Sequence, residues 1–134
     1  MIPALSLGFM GRFGRSASLR SFDADLRAVN LHPNLVPEAI KLAALRVLMA
    51  RTGLADPSAA SSRAAAEILA YCMVGAETFT AANGSGLADA VENRIDAALD
   101  DGTSSDAKLI LLALHANVIQ PSVVERYRLE AESG

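Results

Sequence analysis

The fold turns on DAKLILLALHANVI, Asp106 to Ile119. Ten of these fourteen residues are apolar, and the only charges are Asp106 and Lys108. Just upstream, Thr103-Ser104-Ser105-Asp106 reads as a capping-box variant, with Thr103 as N-cap and an acid three residues on that also suits the helix dipole. Pro121 limits how far such a helix can run. A helix that is apolar on nearly every side belongs inside a bundle, with neighbours on several sides. It is too short to cross a bilayer, which takes about 20 apolar residues. Lys108 and His115, seven apart, share one stripe and mark the expected exposed edge.

Working outward, 134 residues suit one domain, and 51% hydrophobic content is enough for a folded core. Alanine is the commonest residue while Val, Ile and Thr are scarce, which favours helices over strands. Many alanines also mean thin side chains and close helix contacts. The expected fold is an all-α, single-domain bundle of six or seven helices joined by short loops, with 35–52 and 106–119 at its centre.

A first helix is expected over Ser21 to Leu31, capped by Ser21, with Phe22, Leu26 and Val29 as its buried stripe. Pro33 ends it. Asn34 can cap a second helix, Leu35 to Thr52, which closes at Gly53. An Ala-rich segment from Ser58 to Ala82 buries Ile68, Leu69, Cys72, Met73, Ala76 and Phe79, and Gly75 within it marks a kink, a close crossing or a break. Asn83-Gly84-Ser85-Gly86 reads as a loop, with Ser85 as the next cap. The helix from Leu87 to Asp101 should bury Leu87, Val91, Ile95 and Leu99. Ser122-Val-Val-Glu125 reads as a capping box for a short last helix. Leu31-His-Pro-Asn-Leu-Val36 echoes Ile119-Gln-Pro-Ser-Val-Val124, either as pseudo-repetition or as one corner chemistry met twice.

Residues 1–20 differ from the body, 21–134. They hold Arg12, Arg15 and Arg20 but no acid, with Phe9, Met10 and Phe13 among glycines. They form an expected arm, flexible or docked on a partner through Phe9, Met10 and Phe13. Their arginines follow the apolar run instead of preceding it, the wrong order for a secretory signal. All 15 acids lie in the body, where Asp89, Glu92, Asp96 and Asp100 line one face of a helix. That row is either a solvated face or, at Asp89, Glu92 and Asp96, a contact for a basic partner.

A net charge of −3 offers no footprint for nucleic acid, and an apolar second helix does not suit a recognition helix. One cysteine forms no internal disulfide, so the cytoplasm is the expected compartment. No Cys/His or Glu-x-x-His spacing points to a metal, and no motif points to a cofactor. His32 reads as a corner contact, Cys72 as an inert buried thiol, and Arg63 with Glu67 as a surface pair.

Function is not written in a motif here. The favoured reading is a non-enzymatic cytoplasmic interaction module that self-associates, most simply as a dimer, with a further protein partner open and no nucleic acid or membrane involved. The alternative is a small helical protein that binds or acts on an apolar ligand. Its pocket would lie among Leu42, Met49, Met73 and Leu112, with His115 at the rim.

Overall fold

Seven α-helices and one short 3-10 turn run through the described residues, 17–52 and 58–129 of the computed structural model, with no strand among them. Helix α1 covers 17–28. The 3-10 turn Pro33–Leu35 is followed by α2 (Glu38–Thr52), α3 (Ala59–Val74), α4 (Ala76–Asn83), α5 (Ser85–Asp100), α6 (Ser105–His115) and α7 (Pro121–Tyr127). The all-α bundle is as expected. Phe9, Met10 and Phe13, and the proposed helix stop at Gly53, lie outside the described residues.

The innermost helix is α3, not the pair named from sequence. It packs on α2, α4, α5 and α6 and buries Ser62, Ala65, Ala66, Ile68, Leu69, Ala70, Tyr71 and Cys72. Its alanines explain this placement: short side chains let four neighbours approach closely. Over 38–50, α2 turns Ile40, Lys41, Ala44, Leu45 and Leu48 fully inward, with Leu42, Val47 and Met49 half-buried. α6 rests on α2, α3 and α5 through Ala107, Leu109, Ile110 and Ala113. Its exposed edge holds Lys108 and His115 as expected, and also Leu111.

α1 reaches back to residue 17, and Leu19 packs against the core, so 17–20 belong to the bundle rather than to the arm. Ser21 therefore sits inside a helix and does not cap it. The stripe of Phe22, Leu26 and Val29 is buried as expected. Asn30 stops α1 in the left-handed region (φ 65°), where Leu31 N–H donates back to the Leu26 carbonyl. Asn117 (φ 62°) stops α6 in the same way, with Val118 N–H donating to Ala113, which is why that helix ends at His115 and not at Ile119.

Several caps differ from expectation. Ser104, not Thr103, caps α6 by accepting from Ala107 N–H at 3.1 Å, while Thr103 donates to Asp101. Asn34 does not cap the second helix, which starts only at Glu38; it lies inside the 3-10 turn, which His32 caps, its Nδ1 accepting from Asn34 N–H. Ser122 follows Pro121 inside α7, where Gln120 holds the cap position, so the capping box is not formed. The two Pro corners are alike in placing proline in the first turn, but neither Asn34 nor Ser122 caps. On α5, Ala88 and Ala98 are buried and Leu99 is 48% exposed, which corrects the assignment of Leu99 to the core.

Gly75 is a break, with φ 91° and ψ 164°, and Gly84 repeats it with φ 93° and ψ 156°. The expected loop at 83–86 thus shrinks to Gly84 alone, and Ser85 begins α5. Such dihedrals are essentially reserved for glycine. At Gly75 the space is also tight, because an added Cβ would lie 3.3 Å from Ser122 Oγ.

Candidate functional site

A cleft opens between α5 and α7. Helical periodicity puts Asp89, Glu92, Asn93 and Asp96 on one face of α5. α7 faces them because its entry corner is bolted to the end of α3. There the Gln120 backbone N–H donates to the Cys72 carbonyl at 2.8 Å, and Gln120 Nε2 donates to the Met73 carbonyl at 3.0 Å. Pro121 at the first helical position then starts α7 without a missing hydrogen bond. Arg126 and Tyr127 project from α7 and complete a cavity of about 450 Å³ with Asp89, Glu92, Asn93 and Asp96.

The floor of this cleft is a hydrogen-bonded cluster. Tyr71 reaches out from α3 and donates its hydroxyl to Glu92 Oε2 at 2.5 Å. The same oxygen takes the Arg126 guanidinium at 3.3 Å. Tyr127 sets its hydroxyl 3.4 Å from that of Tyr71, and the Arg126 guanidinium lies over the Tyr127 ring. Tyr71 itself is fully buried and meets Phe79 edge-on, ring centroids 5.5 Å apart. Burial first, and its bond to the Glu92 carboxylate second, push the Tyr71 hydroxyl far above the ordinary tyrosine range. Tyr127 is also raised, chiefly by burial. Both phenols therefore act as protonated donors and acceptors here. The arrangement suits recognition of a cation: three carboxylates face one guanidinium.

The sequence stripe is thus split by the structure. Asp89, Asp96 and Asp100 are exposed, while Glu92 is drawn into the cluster with Tyr71 and Arg126. Sequence reasoning missed Tyr71, Arg126 and Tyr127. One signal was present, since a tyrosine on an otherwise apolar helix face needs a polar partner once buried.

The residues of the ligand-pocket reading stand elsewhere. Leu42, Met49, Met73 and Leu112 are half-buried on three different helices, and His115 is exposed. None of the five lines the acidic cleft, nor a smaller cavity of about 150 Å³ formed by Leu48, Ser61, Ala64, Ala65, Ser105, Asp106 and Leu109. Cys72 is buried and its thiol is pushed up to about 12 by desolvation, in keeping with an unreactive side chain. Among the described residues, no group of three or more His, Cys, Asp or Glu is placed to hold a metal ion, and no helix is long and apolar enough to cross a membrane.

Other charges serve as ties between helices. Arg94 binds Asp106 and Glu67 and donates to the Ala64 carbonyl, so Glu67 is taken from the expected pair with Arg63. Lys41 donates to Asp23 at 2.9 Å, and Ser62 to Asp25 at 2.7 Å, holding α1 on α2 and α3. Compared with protein-family models, curated proteins and solved structures, the chain has no match.

Proposed function

We propose that this chain is a non-enzymatic helical interaction module that self-associates as a dimer in the cytoplasm. The observation that carries the reading is the charge imbalance of the α5–α7 cleft, where Asp89, Glu92 and Asp96 meet Arg126 alone. A surface of this kind favours a basic segment, and the chain has one: residues 1–16 carry Arg12 and Arg15 with no acid, beside Phe9, Met10 and Phe13. The proposed contact places that segment of one copy against the cleft of another. Exposed Leu99 and Leu111 on neighbouring helices offer apolar surface to the same association. A single, buried cysteine fits a reducing compartment.

Light scattering on the full chain and on a variant lacking residues 1–14 tests this, since that cut spares Leu19 and α1. The full chain should be dimeric and the shortened one monomeric. Asp89→Lys with Asp96→Lys should also give monomer, and added salt should weaken the dimer. If truncation and charge reversal both leave the mass unchanged, the reading is wrong.

A further inference from the structure

Gly84 is the one residue between α4 and α5. Gly84 N–H donates to the Thr80 carbonyl at 2.7 Å, and Ala88 N–H donates to the Gly84 carbonyl at 3.2 Å. The helical ladder therefore continues up to the glycine from α4 and away from it into α5. What separates the two helices is the conformation of one exposed residue, around which an added Cβ would meet nothing within 4 Å. Returning Gly84 to helical dihedrals would merge Ala76–Asp100 into a single rod of about 37 Å at 1.5 Å per residue. Gly75 is not free in this way, because Ser122 and Gln120 crowd it.

We infer that Gly84 is an exchange hinge, through which α1–α4 of one copy pack on α5–α7 of another. This inference rests on the self-association reading and deepens it: the arm contact brings two copies together, and the hinge lets them trade halves. The two halves are suited to the exchange. Within the first, Asn30 and Asn83 clasp α1 to α4, Asn83 Nδ2 donating to the Val29 carbonyl at 3.0 Å and Asn30 Nδ2 to Asn83 Oδ1 at 3.0 Å. Between the halves lie the specific contacts that would re-form across copies. Arg94 would meet Glu67 of the partner subunit, Gln120 the carbonyl of Cys72 of the partner subunit, and Glu92 the hydroxyl of Tyr71 of the partner subunit. Since the exchanged contacts are the ones already made within a single copy, the cost of exchange is concentrated at the hinge and in bringing two chains together.

Two substitutions push the hinge in opposite directions. Gly84→Ala strains the bent form and favours a continuous helix, so it should raise the dimer association constant by about tenfold or more. Ser85→Pro should do the reverse. Proline is welcome at the first position of α5, and the ψ of 156° at Gly84 lies in the range a following proline allows, yet it would break the merged rod. Light scattering should find Ser85→Pro monomeric with unchanged helical circular dichroism, and Gly84→Ala, Ser85→Pro combined should also be monomeric. Refolding the wild type from urea at high protein concentration, which favours exchange over closure, should increase the dimer fraction, and Ser85→Pro should abolish that increase. If Ser85→Pro dimerises as the wild type does, the hinge is refuted while self-association stands. If the wild type is monomeric even after concentrated refolding, the hinge is refuted together with self-association. Loss of the dimer on truncating residues 1–14 combined with a fully dimeric Ser85→Pro would leave the arm contact as the sole means of association, again refuting the hinge.

Discussion

Arg94 grips Asp106 with two parallel hydrogen bonds, Nε to Oδ2 at 3.1 Å and an Nη to Oδ1 at 2.9 Å. The rest of the guanidinium is spent on α3, with Glu67 at 3.0 Å and the Ala64 carbonyl at 2.8 Å. One side chain on α5 thus ties α3 and the first turn of α6 together. Only a planar fork of donors can do this, because an ammonium offers no second parallel bond. Asp106 gains as well, since a carboxylate in the first turn of α6 lies at the positive end of the helix dipole.

Arg94→Ala should lower stability by about 1–3 kcal/mol, discounted for the partial exposure of all three side chains. Arg94→Lys should recover less than half of that loss. Urea titrations of the three proteins would decide it. A lysine variant as stable as the wild type would mean that charge alone holds the three helices.

Local pattern and long-range chemistry were legible to different degrees. Phe22, Leu26 and Val29 announced a buried stripe because helical spacing is a local property, and Gly75 announced an interruption for the same reason. Arg94, Tyr71 and Gln120 gave no comparable sign. Their partners lie 12 to 47 positions away, at Asp106, Glu92 and Met73, and no spacing rule links residues so far apart. Side-chain bulk points to α2 and α6 as the centre, whereas the alanine-rich α3 buries more residues than either. The same preference for bulk points Leu99 inward, and the structure turns the neighbouring Ala98 inward instead.

Burial now orders the residues of α6. Leu109 is fully buried, Leu112 is half-buried and Lys108 is exposed. Leu109→Ala should cost about 2–5 kcal/mol, as for a core leucine whose cavity does not collapse. Leu112→Ala should cost distinctly less, and Lys108→Ala less than about 0.5 kcal/mol. Equal losses for Leu109 and Leu112 would show that the helix is rotated from the orientation described.

Alkali should loosen this fold before it disturbs an average one. Burial pushes the Cys72 thiol up to about 12, and burial with the Glu92 bond raises Tyr71 further. Both groups keep their protons in the folded state at pH values where the unfolded chain has lost them. Stability from this source is complete below the unfolded values, about 8.5 for cysteine and 10 for tyrosine, and falls as pH rises beyond them. The loss attributable to Cys72 should reach about 1 kcal/mol per pH unit. Cys72→Ala should therefore unfold with a flatter dependence between about pH 9 and 10, and Tyr71→Phe should flatten the curve only above about pH 10. Thermal unfolding across that range measures both, and parallel curves for all three proteins would contradict the assigned environments.

Two glycines should respond to alanine with opposite signs. Gly75 holds φ 91°, where an alanine is strained, and its new Cβ would press on Ser122 Oγ at 3.3 Å. Gly75→Ala should cost about 1–3 kcal/mol, from backbone strain together with displacement of the α7 corner that Gln120 fastens to α3. Gly86 lies in the first turn of α5, with nothing within 4 Å of an added Cβ. There the native conformation already suits alanine, and the substitution mainly narrows the unfolded ensemble. Gly86→Ala should add about 0.4–1 kcal/mol of stability. Urea midpoints that move in opposite directions for the two variants are the expected result. A neutral Gly75→Ala would mean that the corner yields, and that Gly75 does not fix the angle at which α4 leaves α3.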